Sequence, residues 1–357
     1  VNTFGRILKL TTFGESHGSA VGGVLDGFPA GVTIDPEFLA FCMARRKPGQ
    51  SALTTQRSET DEVEIISGVF GNISTGAPLA FIIRNKDTRS VDYENLKNTY
   101  RPSHADYTYT QKYGLRDYRG GGRASARETA CRVAAGAFAQ MWLRQQDIQI
   151  LAWVSQVGHV QMNPDFSDVN LRQIEGSPIR CPDPEAAEKM TELIHEVKAS
   201  GDTIGGVISA EINGLPVGLG SPVYAKFHAD LGAAMLSINA VKGFDYGAGF
   251  SGITGRGSEL NDIPVNRDGK IRHLTNHSGG IQGGITNGEP VVFRVAFKPV
   301  ATLSISQQTI DNDGNEIELN VSGRHDPCVL PRAVPVVEAM SALVTADHIL
   351  MHRTVKA

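Results

Sequence analysis

The sequence predicts an α+β fold built on antiparallel sheet, and three observations carry that prediction. Two β-rich runs, 63–70 and 77–83, face each other across a turn segment, as in a hairpin. Strand and helix patterns do not alternate regularly, which argues against a parallel βαβ sheet. No Gly-x-Gly-x-x-Gly run sits between a strand and a helix, and no Walker A sequence occurs, so the dinucleotide and P-loop folds lack their signatures.

The elements follow in order. Asp35-Pro36 pairs an N-cap residue with a first-turn proline and opens a helix. The two hairpin strands come next. After Arg127, the positions Ala130, Val133, Ala134, Ala137, Phe138 and Met141 fall on one helical face, and their small size predicts close packing against another helix. A strand is expected over 151–160. Asp183-Pro184 opens a helix whose Met190, Leu193, Ile194 and Val197 share a face, with Gly201 just beyond its end. Strands are expected over 203–212 and 291–297, and Ser221-Pro222 reads as a further helix start between them. A last helix is expected from Pro335 to about His352. The stretches 84–127 and 242–290 read as long loops, a length that is usually functional. No domain boundary is visible.

Bulk properties narrow the function classes. The 357 residues are 41% hydrophobic and 20% charged, which suits a globular chain with a sizeable core. The 39 glycines have no collagen-like period and predict many tight turns and close backbone approaches. A formal net charge of −4 gives no case for nucleic acid binding. No apolar run reaches 18 residues, so no membrane span is expected. The first residues lack the apolar core of a signal peptide, and Val1 implies a removed or unnumbered Met. Cys42, Cys131, Cys181 and Cys328 lie far apart with no Cys-x-x-Cys pair. No metal site or disulfide scaffold is expected, and reduced thiols in the cytoplasm are the better reading.

Against this acidic background, Tyr100 to Arg132 carries seven cations (Arg101, Lys112, Arg116, Arg119, Arg123, Arg127, Arg132) and only three acids (Asp106, Asp117, Glu128). The stretch contains His104, the triple glycine Gly120-Gly121-Gly122, and then Arg123 and Ser125 before a helical pattern. Glycine backbone, guanidinium forks and a helix start are the ingredients of an anion site. A charge run on its own is usually a solvated face. Histidine suits proton transfer near neutral pH, and His17 lies between glycines in Phe13-Gly14-Glu15-Ser16-His17-Gly18. By itself that hexapeptide reads first as a turn histidine. His104, after Arg101-Pro102-Ser103, favours acid chemistry on an anion. Arg45-Arg46-Lys47 reads either as cations serving a helix C-terminus or, with the donors at 51–57, as part of the anion site. Lys298 is a candidate phosphate partner. Asp326, in Gly323-Arg324-His325-Asp326-Pro327, reads as a surface turn or a helix cap.

Together these segments resemble the chorismate synthase family. The resemblance is carried by GESHGSAVGGVLDGFP at 14–29, GGGRASARETACRVAAGA at 120–137 and GRHDPCVLPRAVPVVEAM at 323–340. It is supported by RRKPGQS at 45–51, RPSHADYTY at 101–109, SINAVKG at 237–243 and GGIQGG at 279–284. It spans the chain to about Met340. It implies one domain over 1–357, a sandwich with a helical layer between antiparallel sheets, assembled as a homotetramer. It implies a 1,4-anti elimination of phosphate from 5-enolpyruvylshikimate 3-phosphate to give chorismate. Reduced FMN is implied as cofactor, lending electron density and taking the C6 proton at N5. NADPH enters only as a source of reducing equivalents, supplied directly or through an external flavin reductase. By motif match His17 is the general acid toward phosphate, His104 protonates or stabilises the reduced flavin, and Asp326 tunes flavin N5. Arg46 matches a nicotinamide-nucleotide or substrate position. Arg123, Ala124, Ser125, Asn239, Ala240, Gly283, Lys298, Pro299, Val300, Ala301, Thr302 and Arg324 match flavin-binding positions. Arg101 and Arg127 are further candidates for the substrate's anions. Ala52, Ala124, Val300 and Ala301 replace basic or hydroxyl residues common in the family, leaving backbone groups to bind at the last three.

Overall fold

Residues 9–14 alternate outward and inward, the period of two that makes a half-buried strand. The computed structural model describes residues 1–50, 60–86, 96–163, 170–320 and 326–355. Its chain opens with β1 (Thr3–Phe4), β2 (Lys9–Gly14) and β3 (Ala20–Asp26). Helix α1 (Pro36–Arg46) follows, capped by Asp35, whose carboxylate accepts from the Glu37 and Phe38 amides at 2.9 and 3.0 Å. Then come β4 (Glu64–Ser67), the short ladder of β5 (Val69–Phe70) with β6 (Ile73–Ser74), and β7 (Leu79–Arg84). The first sheet has the order β1-β2-β3-β7-β4, antiparallel throughout. The expected hairpin between 63–70 and 77–83 is therefore present as β4 on β7.

Helix α2 (Asp106–Tyr113) and two short turns, Gly122–Ala124 and Ala126–Glu128, lead into α3 (Thr129–Arg144). The chain continues through β8 (Gln149–Val157), β9 (Val160–Gln161), α4 (Leu171–Glu175), α5 (Pro184–Ala199) and β10 (Gly206–Asn213). Next are α6 (Phe227–Leu236), β11 (Val241–Tyr246) and α7 (Gly257–Leu260). Two hairpins follow, β12 (Pro264–Arg267) with β13 (Lys270–His273) and β14 (Ile281–Gln282) with β15 (Ile285–Thr286). The described chain ends with β16 (Val291–Phe297), the hairpin β17 (Gln307–Ile310) with β18 (Glu316–Leu319), and α8 (Leu330–His352). The second sheet runs β11-β16-β10-β8-β9, also antiparallel.

The helices form the layer between the two sheets. Helix α3 packs on β2 and β3, α8 packs on β8 and β10, and the two helices pack on each other. Their closest approach is at Gly136. A Cβ added there would lie 2.3 Å from the Ala339 Cβ and 2.4 Å from its Cα, so no larger residue fits. The small-residue face predicted for this helix thus meets another helix, and all six predicted positions are buried.

The structure corrects three expectations. Ser221-Pro222 does not open a helix. Ala225 takes a left-handed conformation (φ 58°) and the Ser221 amide bonds back to its carbonyl, so α6 starts only at Phe227. The last helix begins at Leu330, with Pro335 inside it. Proline lacks the amide that would bond the carbonyl four residues back, that of Pro331. The Arg180 guanidinium donates to this carbonyl instead. The stretches read as long loops hold α2, α7, β11 and the β12 to β15 hairpins.

Among the described residues α8 alone is long and apolar enough to cross a membrane. It is nonetheless a core helix. Its Glu338 pairs with Arg45, and its Asp347 carboxylate accepts the amides of Arg6, Ile7 and Leu8 at 2.8, 2.7 and 2.9 Å.

Candidate active site

Three successive glycines carry the site. Gly120, Gly121 and Gly122 all have positive φ (63°, 83° and 52°), which side chains rarely adopt. A Cβ on Gly120 would stand 2.3 Å from Cε1 and 2.4 Å from Nδ1 of His17. One on Gly121 would stand 3.2 Å from Cε1 of His104. Adjacent residues of one turn therefore touch the two histidines singled out in the sequence. His17 is buried, with the Ser16 hydroxyl 3.2 Å from its Nδ1.

His104 sits in a separate polar knot. Its Nδ1 is 3.0 Å from Oδ1 of Asp106, a residue the sequence reading did not select. Asp106 also accepts from Nε and Nη2 of Arg101, each at 2.8 Å, and lies 3.0 Å from Nη1 of Arg116. Burial alone would push this carboxyl up, but the bonds from Arg101 and His104 outweigh it and hold Asp106 well below the usual range.

Beneath the glycine turn lies a second charge cluster. Asp61, its side chain fully enclosed, pairs with Arg46 at 2.6 Å and with Arg127. Burial would raise its pKa, and the two guanidinium groups override burial to lower it. Arg46 also reaches Oγ1 of Thr129 at 3.3 Å, at the start of α3. Burial pulls its pKa down, Asp61 opposes, and nearby Arg332 and Arg127 add to the fall. Arg332 donates to the Arg46 carbonyl at 3.1 Å and pairs with Asp326. Asn85 ties this cluster to the His17 loop. Its carbonyl accepts from Arg127 at 2.8 Å, while its amide donates to the carbonyls of Glu15 and Gly18 at 3.0 and 2.8 Å.

The structure thus brings Arg46, Arg127 and Asp326 into one network. Arg46, Arg101 and Arg127 all arrive already bonded to carboxylates rather than as open forks. Asp61, Asp106 and Arg332 were missed. The available signal was a carboxylate two residues after His104 at a helix start; for Asp61 and Arg332 no local pattern exists.

A cleft of about 400 Å³ opens beside the turn, lined by Asn2, Thr12, Tyr109, Arg123, Arg132 and Asn239 among others. Arg123 donates only to neutral acceptors here: Oγ1 and the carbonyl of Thr12 at 2.8 and 3.2 Å, the Gly14 carbonyl at 3.2 Å and Oδ1 of Asn2 at 3.2 Å. Asn239 donates to the Ala124 carbonyl at 3.0 Å. Ser125 caps the next turn, its hydroxyl accepting the Arg127 amide at 3.4 Å. Ala240 has φ 68°, and its carbonyl accepts the Lys298 amide at 2.9 Å. Burial and neighbouring Lys242 both lower the pKa of Lys298. Lys242 occupies a register shift of β11 on β16. Pro299, Val300, Ala301 and Thr302 continue from Lys298 as irregular chain, and the Val300 carbonyl accepts from Thr203 at 2.8 Å. Gly283 is exposed in the β14–β15 turn with nothing within 4 Å of an added Cβ. Arg324 and the donors at 51–57 fall outside the described residues.

Comparison with known proteins agrees with this picture. A sequence model described as chorismate synthase matches residues 8–350. The chorismate synthase of Bacteroides fragilis (strain YCH46) is 57% identical over 352 residues, covering 99% of this chain and 98% of that protein. That of Phocaeicola vulgatus is 57% identical over 353 residues, covering 99% of each. A crystal structure of chorismate synthase aligns with a TM-score of 0.77 at 32% identity, covering 98% of this chain and 93% of the other.

Proposed function

The chain belongs to the chorismate synthase family, and from that premise we propose how its residues carry the reaction. The enzyme is a lyase of the shikimate pathway. It eliminates phosphate from 5-enolpyruvylshikimate 3-phosphate to give chorismate.

The observation that carries the assignment of roles is the glycine turn, whose adjacent residues Gly120 and Gly121 lie against His17 and His104, near a cluster richer in guanidinium than carboxylate among the described residues. The substrate bears two carboxylates and a phosphate, so it needs cationic compensation in a site that excludes water. Arg46, Arg127 and Arg332, which share the carboxylates of Asp61 and Asp326, supply it, and Arg101 is set in place by Asp106. His17 donates a proton to the departing phosphate, and His104 holds or delivers the proton on the flavin side. Asp326 is braced by Arg332 next to that site.

The donor set suits reduced FMN: Arg123 without a carboxylate partner among the described residues, the paired lysines Lys242 and Lys298, and the backbone of Ala124, Ser125 and Ala240. When bound, this cofactor supplies electron density to the elimination and a base for the C6 proton. NADPH, directly or through an external reductase, is the source of its electrons. One hydrophobic core joins both sheets and the helices between them, which supports a single domain. Four buried, unbridged cysteines support a reducing, cytoplasmic setting. A homotetramer is the expected assembly, testable by light scattering.

The deciding assay is anaerobic phosphate release from 5-enolpyruvylshikimate 3-phosphate with chemically reduced FMN. Release that depends on reduced FMN is expected, and His17→Ala should lower turnover on the order of 100-fold while flavin binding persists. Release without flavin would point to a phosphohydrolase, and tight FMN binding without turnover to a binding module. Either result overturns the reading.

A further inference from the structure

We propose that Asp106 is a positioning residue that fixes His104 in the tautomer protonated at Nδ1, so that Nε2 is the nitrogen presented to the site. The inference deepens the role given to His104 and rests on it for its meaning, though not for its geometry.

Nδ1 has two polar neighbours at 3.0 Å, Oδ1 of Asp106 and Nη2 of Arg101. A bare Nδ1 accepting from Arg101 would set its lone pair against those of Oδ1 in a pocket where Asp106 is only 4% exposed. The same Nη2 makes its shorter bond, 2.8 Å, to Oδ1. The carboxylate therefore takes the guanidinium, and Nδ1–H completes its set of donors. Asp106 stays ionised, because Arg101 approaches with Nε, Nη2 and its backbone amide, and Arg116 adds a fourth contact. A carboxylate so held accepts from an imidazole without taking its proton.

The backbone is built to make this contact. Ser103 adopts φ 56°, a left-handed conformation that costs a non-glycine residue energy, and the His104 amide bonds back to the Arg101 carbonyl at 3.2 Å. The reversal brings the His104 ring onto Asp106 at the first turn of α2. The opposite edge, Cε1 and Nε2, then faces Gly121: a Cβ there would lie 3.2 and 3.6 Å from those atoms. Glycine leaves that edge uncovered. Nε2 is thus the position from which His104 exchanges a proton with a bound molecule.

The test is the 15N spectrum of histidine-labelled, ligand-free protein at a pH where the ring is neutral, with His104 assigned by its loss in His104→Gln. Nδ1 in the protonated range with Nε2 unprotonated is expected. The reverse pattern, Nε2–H with Nδ1 accepting from Arg101, overturns the proposal, and it needs no variant that might misfold. In Asp106→Asn the tautomer preference should weaken and kcat should fall on the order of 100-fold, with KM within about twofold. An unchanged tautomer in that variant also overturns it. The expected tautomer in a protein whose His104→Gln variant turns over normally would count against the role of His104 and leave the positioning intact.

Discussion

Two arginines adjacent in sequence end in opposite electrical situations. Arg45 turns toward α8 and is enclosed with Glu338 and Glu175, joined by Arg180, which lies 3.4 Å from Glu175. Two cations meet two carboxylates, and the network closes. Arg46, one step of about 100° around the helix, turns toward the start of α3. There, among the described residues, Arg46, Arg127 and Arg332 pair with Asp61 and Asp326. Both clusters are buried, so burial does not separate structure from function here; the uncancelled charge does. A closed network locks α1, α4 and α8 together, whereas three cations against two carboxylates among the described residues is the arrangement on which the proposed anion site rests.

That contrast can be broken most forcefully at Glu338. Glu338→Gln leaves the Arg45 guanidinium buried beside a weaker partner, and removing one partner of a buried pair costs about 3–5 kcal/mol. Urea unfolding should show this loss, while activity per folded molecule stays near wild type. A large drop in kcat at unchanged stability would erase the distinction between the clusters.

Arg127→Gln is expected to differ in activity rather than in stability. Asp61 keeps Arg46 but loses one of its two guanidinium partners, so stability falls here too, and the distinguishing readout is the KM of the folded protein. A lost charge-assisted hydrogen bond of about 1.5–3 kcal/mol would raise KM for the substrate on the order of 10- to 100-fold. Steady-state kinetics at saturating reduced FMN checks it, and an unchanged KM would remove Arg127 from the substrate site.

A smaller effect sharpens the electrostatic picture. Asp61 and Asp106 both titrate below the usual carboxylate value of about 4. A depressed carboxylate contributes stability that is fully present above its unfolded value and lost as pH falls through its folded value. Stability should therefore hold down to about pH 4 and decline below it, with a shallower acid-side slope in Asp106→Asn. Urea midpoints measured from neutral to acid pH read this directly; identical slopes would show that Asp106 does not titrate as bonded here.

Much of this was legible in the chain. The caps at Asp35 and Asp183, the hairpin β4 with β7, and the small-residue face of α3 all follow from local rules, because capping and amphipathic periodicity act over a few residues. The histidines and the triple glycine were legible as ingredients. Their contact was not: Gly120 and His17 are distant in sequence, and only the fold presses one against the other. Arg45 and Arg46 read identically as helix-end cations, since the sequence does not say which way each side chain leaves the helix. Helix α8 was cut short at Pro335 because the rule that proline breaks helices assumes an orphaned carbonyl, and here Arg180 satisfies it.

The sequence by itself determined the antiparallel α+β class, the starts of α1, α3 and α5, the family and the residue types of an anion site with two histidines. Tertiary structure alone decided which charges cancel. Arg46 and Asp61 are separated by 15 residues, Arg45 and Glu338 by 293. A guanidinium and a carboxylate find each other within 3 Å only when the layers between them have packed, and no local pattern encodes a distance set by the whole sandwich.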